Sequence, residues 1–100
     1  MNNDRLLSFL GICKRAGRLV SGADTVTKTV NERKALLILY ASDVSENSLK
    51  QVLRAAKEQG IPVKQLPYPK GELSLALGKH CGIICTTDKG FADKILTLID

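Results

Sequence analysis

The sequence predicts an α/β fold, namely a three-layer α/β/α sandwich with a central mixed four-stranded sheet. Three observations support this prediction. Segments with helical spacing of apolar residues alternate with short apolar runs along the chain. The run Ala35–Ala41 is apolar at every position, as expected of a strand that helices cover on both faces. The chain has 100 residues, of which 44% are apolar, so one domain spanning residues 1–100 is expected.

The N-terminal third is expected to hold two helices separated by a short strand. The first helix is expected to begin after Asn3, a favourable N-cap residue, and to run to Arg15. A short strand, Arg18–Val20, follows. Ser21 is then expected to cap the second helix, with Asp24 three residues later in a variant of the capping box.

The second helix contains three threonines, which are poor helix formers. We expect Thr25, Thr27 and Thr29 to point outward, where their hydroxyls can meet polar groups. Lys28 lies one turn beyond Asp24. A surface ion pair between these two side chains is therefore the structural alternative to a role for Lys28 in binding.

The rest of the chain continues the alternation of helix and strand. Ser45 is expected to cap a helix that ends at Gly60, and Asp88 is expected to cap the last helix. Between them we expect a strand, a turn, a short helix and a strand, over residues 63–66, 67–69, 72–77 and 82–86. Crossovers of this length fit largely parallel pairing, although the short first strand could pair antiparallel.

Basic residues outnumber acidic ones, and most of the excess lies near the N-terminus. The net charge is +5 and the pI is near 9.3. Residues 1–34 hold seven basic and three acidic side chains, which leaves +4 in that third of the chain. A basic balance favours polyanionic partners. The alternative is that these side chains simply coat solvated helix faces, and charge alone does not decide between the two.

The three cysteines fit a reducing, cytoplasmic location, because their odd number and spacing match no disulfide framework. Cys13 and Cys85 lie in apolar patterns, where thiols act as small hydrophobic groups. His80, Cys81 and Cys85 resemble metal ligands but lack a fourth partner of suitable spacing, so core packing is favoured and no metal or other cofactor is expected. The chain start does not match a signal peptide, and no apolar run reaches the roughly 18 residues of a membrane span.

Three of the predicted strand-to-helix junctions are polar: 20–22, 42–44 and 86–88. Each is expected to place the free N–H groups of a helix start beyond the carboxyl end of a strand, where ligands bind in open α/β sheets. Helix N-termini attract phosphate, and Gly22 lets another backbone approach closely. Capping alone explains any one junction, but three of them flanked by basic residues favour an anion-binding surface.

The segment Ser21–Glu46, SGADTVTKTVNERKALLILYASDVSE, resembles the core signature of the kink-turn-binding ribosomal-protein family of the L-seven-Ae and L-thirty-e type. In that signature a Gly-led helix with Thr and Lys precedes a K-A-x-L strand that ends in Ala-x-Asp. The later LGKHCG, residues Leu77–Gly82, is similar to the family's second landmark. The match spans nearly the whole chain, and it is strongest to the small YlxQ-like bacterial branch.

The resemblance implies a non-catalytic module for structured RNA, of the kink-turn or ribosomal kind, in a ribosome- or translation-associated protein. A monomer is expected. Gly22 would approach the RNA backbone, Lys28 would contact a phosphate or a guanine edge, and the turn after the last strand would pack on a flipped-out base. The residues expected to contact RNA are Lys14, Arg15, Arg18, Ser21, Gly22, Asp24, Thr25, Lys28, Asp43, Thr86, Thr87, Asp88 and Lys89.

The chain departs from the family pattern in two places. Asp24 and Thr25 stand where many members have Asn-Glu, and an Asp carboxylate only accepts hydrogen bonds whereas an Asn amide also donates them. Asp88 stands in a loop where relatives often present apolar residues.

The sequence holds four aromatic residues: Phe9, Tyr40, Tyr68 and Phe91. Most of them fall on apolar faces, which leaves too few rings for a platform that stacks single-stranded bases. This scarcity favours structured RNA, bound mainly through Lys and Arg.

Two other functions fit the same architecture. An enzyme or phosphocarrier would need a nucleophile such as Ser42 or Cys85 with a base beside it, and the sequence indicates neither such a base nor a Gly-rich phosphate loop. We therefore expect no catalysis. A protein-interaction or scaffold module without specific RNA binding stays open as the alternative.

Overall fold

A computed structural model describes the backbone of residues 3–99 and the side chains of residues 5–99. The predicted order of elements is confirmed over this range. The elements are α1 (Asn3–Arg15), β1 (Leu19–Ser21), α2 (Ala23–Asn31), β2 (Leu37–Tyr40), α3 (Glu46–Gln59), β3 (Val63–Gln65), α4 (Lys70–Leu77), β4 (Ile83–Thr86) and α5 (Lys89–Ile99).

Several boundaries differ from the prediction. Asn3 is the first helical residue of α1 rather than the residue before it, and its side chain lies outside the described residues. The strand β2 is shorter than the apolar run that predicted it, and Leu36 in that run is 41% exposed. The predicted N-caps of α3 and α5 are confirmed, since the backbone N–H of Ser48 donates to Ser45 Oγ at 3.3 Å and that of Phe91 to Asp88 Oδ1 at 2.9 Å.

The sheet is mixed, as predicted, with strand order β1–β4–β2–β3. The strand β2 pairs parallel with β3, whereas β4 pairs antiparallel with both β1 and β2. The expectation of largely parallel pairing is therefore wrong, and the antiparallel pairing of the first strand is confirmed.

The path of the chain through α4 explains the direction of β4. The α4 segment begins and ends at the sheet edge where β2 and β3 end. At its start, the Lys70 N–H donates to Asp43 Oδ1 at 2.7 Å, and beyond its end, the Ala41 N–H donates to the carbonyl of Gly82 at 2.8 Å. The chain does not return to the opposite end of the sheet before β4 begins. The strand β4 therefore starts at the end where β2 finishes and runs antiparallel to it.

Helices cover both faces of the sheet, which confirms the three-layer α/β/α sandwich. On one face, α1, α4 and α5 bury Leu37 and Leu39 of β2. On the other, α2 and α3 bury Ile38 of the same strand. This alternation follows from the two-residue repeat of side-chain direction in a strand. The two cores fix the helix starts rigidly against the strand ends.

The cysteines belong to these cores, as predicted. Cys13, Cys81 and Cys85 are buried free thiols. Burial raises the pKa of Cys85 from 9.0 to about 12 and that of Cys13 to about 11. Within residues 5–99, no three His, Cys, Asp or Glu side chains come together as a metal-binding group. None of the helices in the described part of the chain is long and apolar enough to cross a membrane.

The buried thiols predict a loss of stability at high pH. Because the folded-state pKa of Cys85 lies above its ordinary 9.0, folding favours the protonated thiol. This contribution is fully present below pH 9.0 and is lost as the pH rises towards about 12. Denaturant unfolding should therefore show a free energy that falls over this range, by up to about 1.4 kcal/mol per pH unit from this group. Cys85→Ala should flatten the fall, and an equally steep fall in that variant would contradict the assignment.

Candidate nucleic-acid interface

Three helix N-termini meet at the sheet edge where β1, β2 and β3 end. The helix α2 begins after Gly22, α3 after Ser45 and α4 after Pro69. The strand β4 joins the sheet at the same edge, through the loop that follows α4. We call this the Gly22 edge, made of Gly22, the loop 42–45, Lys70 and the loop 78–82.

Gly22 is the N-cap residue of α2, with φ 96° and ψ 140°. This backbone conformation strains any residue that has a Cβ. Its N–H donates to the carbonyl of Ile83 at 2.9 Å, which ties the start of α2 to the start of β4. No side chain caps α2, so its first N–H groups keep no side-chain acceptor.

The predicted cap by Ser21 is therefore wrong. Ser21 is the last residue of β1, and its side chain lies near the thiol of Cys81. Leu19 packs in the core with α1, α4 and α5, and Val20 in the core with α2 and α3. Because side chains alternate along a strand, Ser21 points to the same face as Leu19, away from α2. Burial raises the pKa of Cys81, whereas the Lys79 charge, the Ser21 side chain and the Lys14 charge act in the opposite direction.

Asp24, Thr25 and Lys28 are exposed on α2. Asp24 does not take part in a capping box, since its Oδ1 accepts a hydrogen bond from Gln51 Nε2 of α3 at 3.0 Å. The ion pairs of residues 5–99 are Lys34–Glu32 and Lys89–Asp93, so Asp24 and Lys28 do not pair. The Lys28 ammonium is thus left for a ligand.

The three threonines of α2 do not all point outward. Thr27 Oγ1 donates to the carbonyl of Ala23 at 2.8 Å, and Thr29 Oγ1 to that of Thr25 at 2.8 Å. Thr29 is buried at 8% exposure. These hydroxyls donate to carbonyl groups of the preceding helical turn, as threonine hydroxyls within helices commonly do. Only Thr25 is exposed as predicted.

Asp43 lies at the Gly22 edge but acts on the protein itself. Its carboxylate accepts the N–H of Lys70 and so satisfies a free donor in the first turn of α4. The Lys70 stem crosses Gly82, where a Cβ would meet Lys70 Cδ at 3.0 Å and Val44 Cγ2 at 3.3 Å. Asp43 therefore positions Lys70, and Gly82 leaves the space in which the Lys70 stem lies.

The turn after β4 lies at the other end of the sheet, contrary to the prediction. Leu19 pairs with Thr86 and Ser21 with Ile84, so the direction of β4 separates Thr86 from Gly22 by the strand length, about 10 Å. We call this the Thr86 edge, made of Arg18, Leu36 and the segment 86–89. These residues therefore lie at the opposite end of the strands from Gly22 and not beside it.

At the Thr86 edge, the predicted contact residues serve the fold. Thr86 is fully buried, and its Oγ1 donates to the carbonyl of Arg18 at 3.1 Å and accepts the N–H of Asp88 at 3.3 Å. The Thr87 N–H donates to the same Arg18 carbonyl at 3.3 Å. Asp88 caps α5, and Lys89 pairs with Asp93 at 3.1 Å.

Thr86→Val is expected to destabilise the protein by about 1–3 kcal/mol, because the Asp88 N–H loses its acceptor and the Arg18 carbonyl keeps only the Thr87 N–H. RNA affinity should not change, because Thr86 lies outside the Gly22 edge. Chemical denaturation and a binding titration on the same sample measure both. Thr97→Val is the matched control, because the exposed Thr97 of α5 likewise donates its hydroxyl to a backbone carbonyl. This variant should change stability by less than about 0.5 kcal/mol. A weakened RNA complex with unchanged stability would contradict this role.

Sequence reasoning missed three candidate residues at the Gly22 edge: Lys70, Lys79 and His80. Lys79 and His80 are exposed in the loop 78–82. A hollow of about 250 Å³ at this edge is lined by Gly22, Lys70 and His80, among others. The LGKHCG motif was the available signal in the sequence. It identifies the site only when the direction of β4 is known, because that direction places the loop 78–82 beside Gly22.

Two predicted contact residues lie on α1. The Lys14 charge reaches Cys81 at the Gly22 edge. Arg15 instead lies beside α4, in a surface groove with Gly11 and Ala76. Lys14 and Arg15 both lie in the last turn of α1, and neither is among the residues that form the Gly22 edge.

None of the four aromatic residues is exposed. Tyr68 is buried, Tyr40 packs on the α2–α3 core, and Phe9 meets Phe91 edge-to-face with ring centroids 5.5 Å apart. The Gly22 edge consequently offers lysines and backbone N–H groups, and no stacking platform.

The fold and this edge define a class of protein: small α/β/α modules with a rigid, lysine-bearing edge suited to a polyanion. The chain belongs to the ribosomal protein L7Ae/L30e/S12e/Gadd45 family, whose model matches residues 4–96.

Named relatives and solved structures agree with this assignment. The chain is 34% identical to the RNA-binding protein YlxQ of Bacillus subtilis (strain 168), with 92% of each chain covered. It is 28% identical to YlxQ of Enterococcus faecium, over 99% of this chain and 95% of that one.

Among structures, a Bacillus halodurans protein of unknown function has a TM-score of 0.87 and 34% identity, covering 95% of this chain and 96% of that one. The Giardia lamblia 15.5kD RNA binding protein shares the fold, with a TM-score of 0.73 and 20% identity over 94% of this chain and 81% of that one.

Proposed function

We propose that the protein binds structured RNA of the kink-turn or ribosomal kind at the Gly22 edge, without catalysis. The observation that carries this proposal is the convergence at one sheet edge of the uncapped α2 start, the bare backbone of Gly22 and the lysines Lys70 and Lys79, with Lys28 exposed further along α2. Helix N–H groups and ammonium groups are the donors that phosphate oxygens accept. The names of the YlxQ relatives as RNA-binding proteins support the same ligand.

The form of the edge favours a folded RNA over a flexible single strand. The two cores hold the helix starts in fixed positions, so the donors form one pre-organised surface. A sharply bent RNA can bring several phosphates to such a surface at once, which a straight duplex cannot do as well. A cytoplasmic monomer that acts on ribosomal RNA or on translation is consistent with this surface and with the family.

A binding titration with two RNAs of equal composition tests the proposal. One RNA carries a kink-turn between two stems, and the other is a straight duplex. We expect the kink-turn RNA to bind at least about tenfold more tightly, a difference of about 1.4 kcal/mol. Both affinities should fall steeply with salt, because lysine–phosphate contacts release counterions. Equal affinity for the two RNAs at every salt concentration would contradict recognition of the bend.

One observation favours a second candidate, a protein-interaction module on the same fold. Leu75 of α4 is 85% exposed, and it lies with Lys79 and His80 in a shallow surface hollow. The leucine and the hollow beside it offer apolar surface that a protein partner would cover. The same titration separates the two candidates, since a scaffold of this type would bind neither RNA.

A further inference from the structure

A groove of about 490 Å³ lies between α2 and α3. It lies outside the Gly22 edge. Its walls carry three side-chain amides and two cations, namely Asn31, Asn47, Gln51, Lys50 and Arg54.

The groove opens directly from the Gly22 edge. The strands β1 and β2 run in the same direction, because both pair antiparallel with β4. The helices α2 and α3 that follow them therefore both start at this edge and lead away from it. At the mouth, Gln51 of the groove wall donates to Asp24, two residues beyond Gly22, at 3.0 Å. A ligand that covers the start of α2 thus lies at the open end of the groove.

Two cations line the groove in a row along α3. Lys50 and Arg54 are exposed and lie one helical turn apart, a rise of about 6 Å. That rise is close to the separation of successive phosphates along a nucleic acid strand. Neither forms an ion pair within residues 5–99. The groove carboxylate, Glu58, lies one turn beyond Arg54, at the end away from the Gly22 edge.

The amide groups add hydrogen-bonding capacity that a base edge can use. A glutamine amide has two N–H donors and one carbonyl acceptor. Asp24 takes one donor of Gln51 and so fixes the side chain, which keeps a donor and an acceptor for a ligand. A donor beside an acceptor is the pattern that pairs with base edges.

The chemistry of the groove favours a nucleic acid over a protein. Ala55 supplies the apolar contact in its lining, and no aromatic or large aliphatic side chain is present there. Protein interfaces depend on such anchors at their centres. Cations and amides instead match phosphates and base edges.

We propose that the α2–α3 groove binds one arm of the same RNA that occupies the Gly22 edge, with Lys50 and Arg54 on its phosphates and Gln51 towards its bases. This inference rests on the proposed function. The RNA would then cover more of the protein than the Gly22 edge. It would also contact α3, a helix in which the sequence analysis identified no candidate residue.

The test compares three kink-turn RNAs, one with both arms long and two in which one or the other arm is shortened. The variant is Lys50→Ala/Arg54→Ala, and Lys57→Ala is the matched control, because Lys57 is exposed on α3 but does not line the groove. For the long-armed RNA, the double variant should bind about tenfold more weakly, with a salt slope of log K smaller by about 1.5, as expected for two lost phosphate contacts. For one of the shortened RNAs, it should bind as tightly as the wild type.

The outcomes separate the groove from the Gly22 edge. If the double variant binds the long-armed RNA like Lys57→Ala does, with an unchanged salt slope, the groove proposal is overturned while binding at the edge stands. Equal loss for all arm lengths would also overturn it, since the cations would then act without an arm in the groove. If the wild type binds none of these RNAs, both proposals fail. Gln51→Leu should weaken binding of the long-armed RNA without changing its salt slope, since a neutral side chain contributes no counterion release.

Discussion

Gly22→Ala is expected to weaken the RNA complex by about tenfold or more, or about 1.4 kcal/mol. The cause is conformational, because an added Cβ at Gly22 meets no atom closer than Thr25 Oγ1 at 4.0 Å. At φ 96° and ψ 140°, a Cβ costs about 1–3 kcal/mol of backbone strain. Relief of that strain rotates the turn and moves the first N–H groups of α2. A binding titration with kink-turn RNA measures the loss.

Gly60→Ala is the matched control for this strain. Gly60 also has a positive φ, 67°, and a Cβ there meets nothing within 4 Å. It ends α3, at the far side of the fold from the Gly22 edge. Both variants should lose stability in denaturant unfolding, but only Gly22→Ala should lose RNA affinity. Equal affinities in the two variants would mean that the turn at Gly22 does not contact the ligand.

Lys28→Ala is expected to weaken RNA binding by about tenfold and to reduce the salt slope of log K by about one. Its side chain is exposed and forms no ion pair within residues 5–99, so its removal breaks no ion pair and should change stability by less than about 0.5 kcal/mol. Titrations over a series of salt concentrations give both quantities.

Lys94→Ala is the charge-matched control for Lys28. Lys94 is exposed on α5, on the opposite face of the sheet from α2. General attraction between a basic protein and RNA would lower affinity equally in both variants. An unchanged salt slope in Lys28→Ala would exclude this lysine from the contact.

The elements of the fold could be predicted from the sequence because each has a local cause. The Ser45 cap and the stop at Gly60 predict where α3 begins and ends. The apolar run through Leu37 and Leu39 predicts a strand that helices cover on both faces. Strand pairing is not a local property. The direction of β4 depends on where the chain lies after α4, and that position depends on tertiary contacts such as the bond from Lys70 to Asp43.

The error in strand direction explains the error in the candidate site. With a parallel β4, the turn 86–88 would lie beside Gly22, as the sequence analysis expected. With the observed antiparallel β4, the loop 78–82 takes that place. The residues predicted from α2 keep their position, whereas Lys70 and Lys79 join the site and Thr86 leaves it. Local patterns identified the start of α2, but only the sheet topology identifies its neighbours.

The role of Asp24 also depended on a distant residue. Spacing within α2 suggested a bond with Lys28 or a capping box, yet the carboxylate bonds Gln51, which is 27 residues away. Nothing in the sequence of α2 indicates that partner. The packing of α2 against α3 creates the contact, and with it the mouth of the groove.

Amide hydrogen exchange of the protein, with and without kink-turn RNA, tests the central claim most directly. We expect slower exchange at residues 22–25 and in the loop 78–82 when the RNA is bound, and no change at residues 86–89. Protection of residues 86–89 without protection at Gly22 would contradict it.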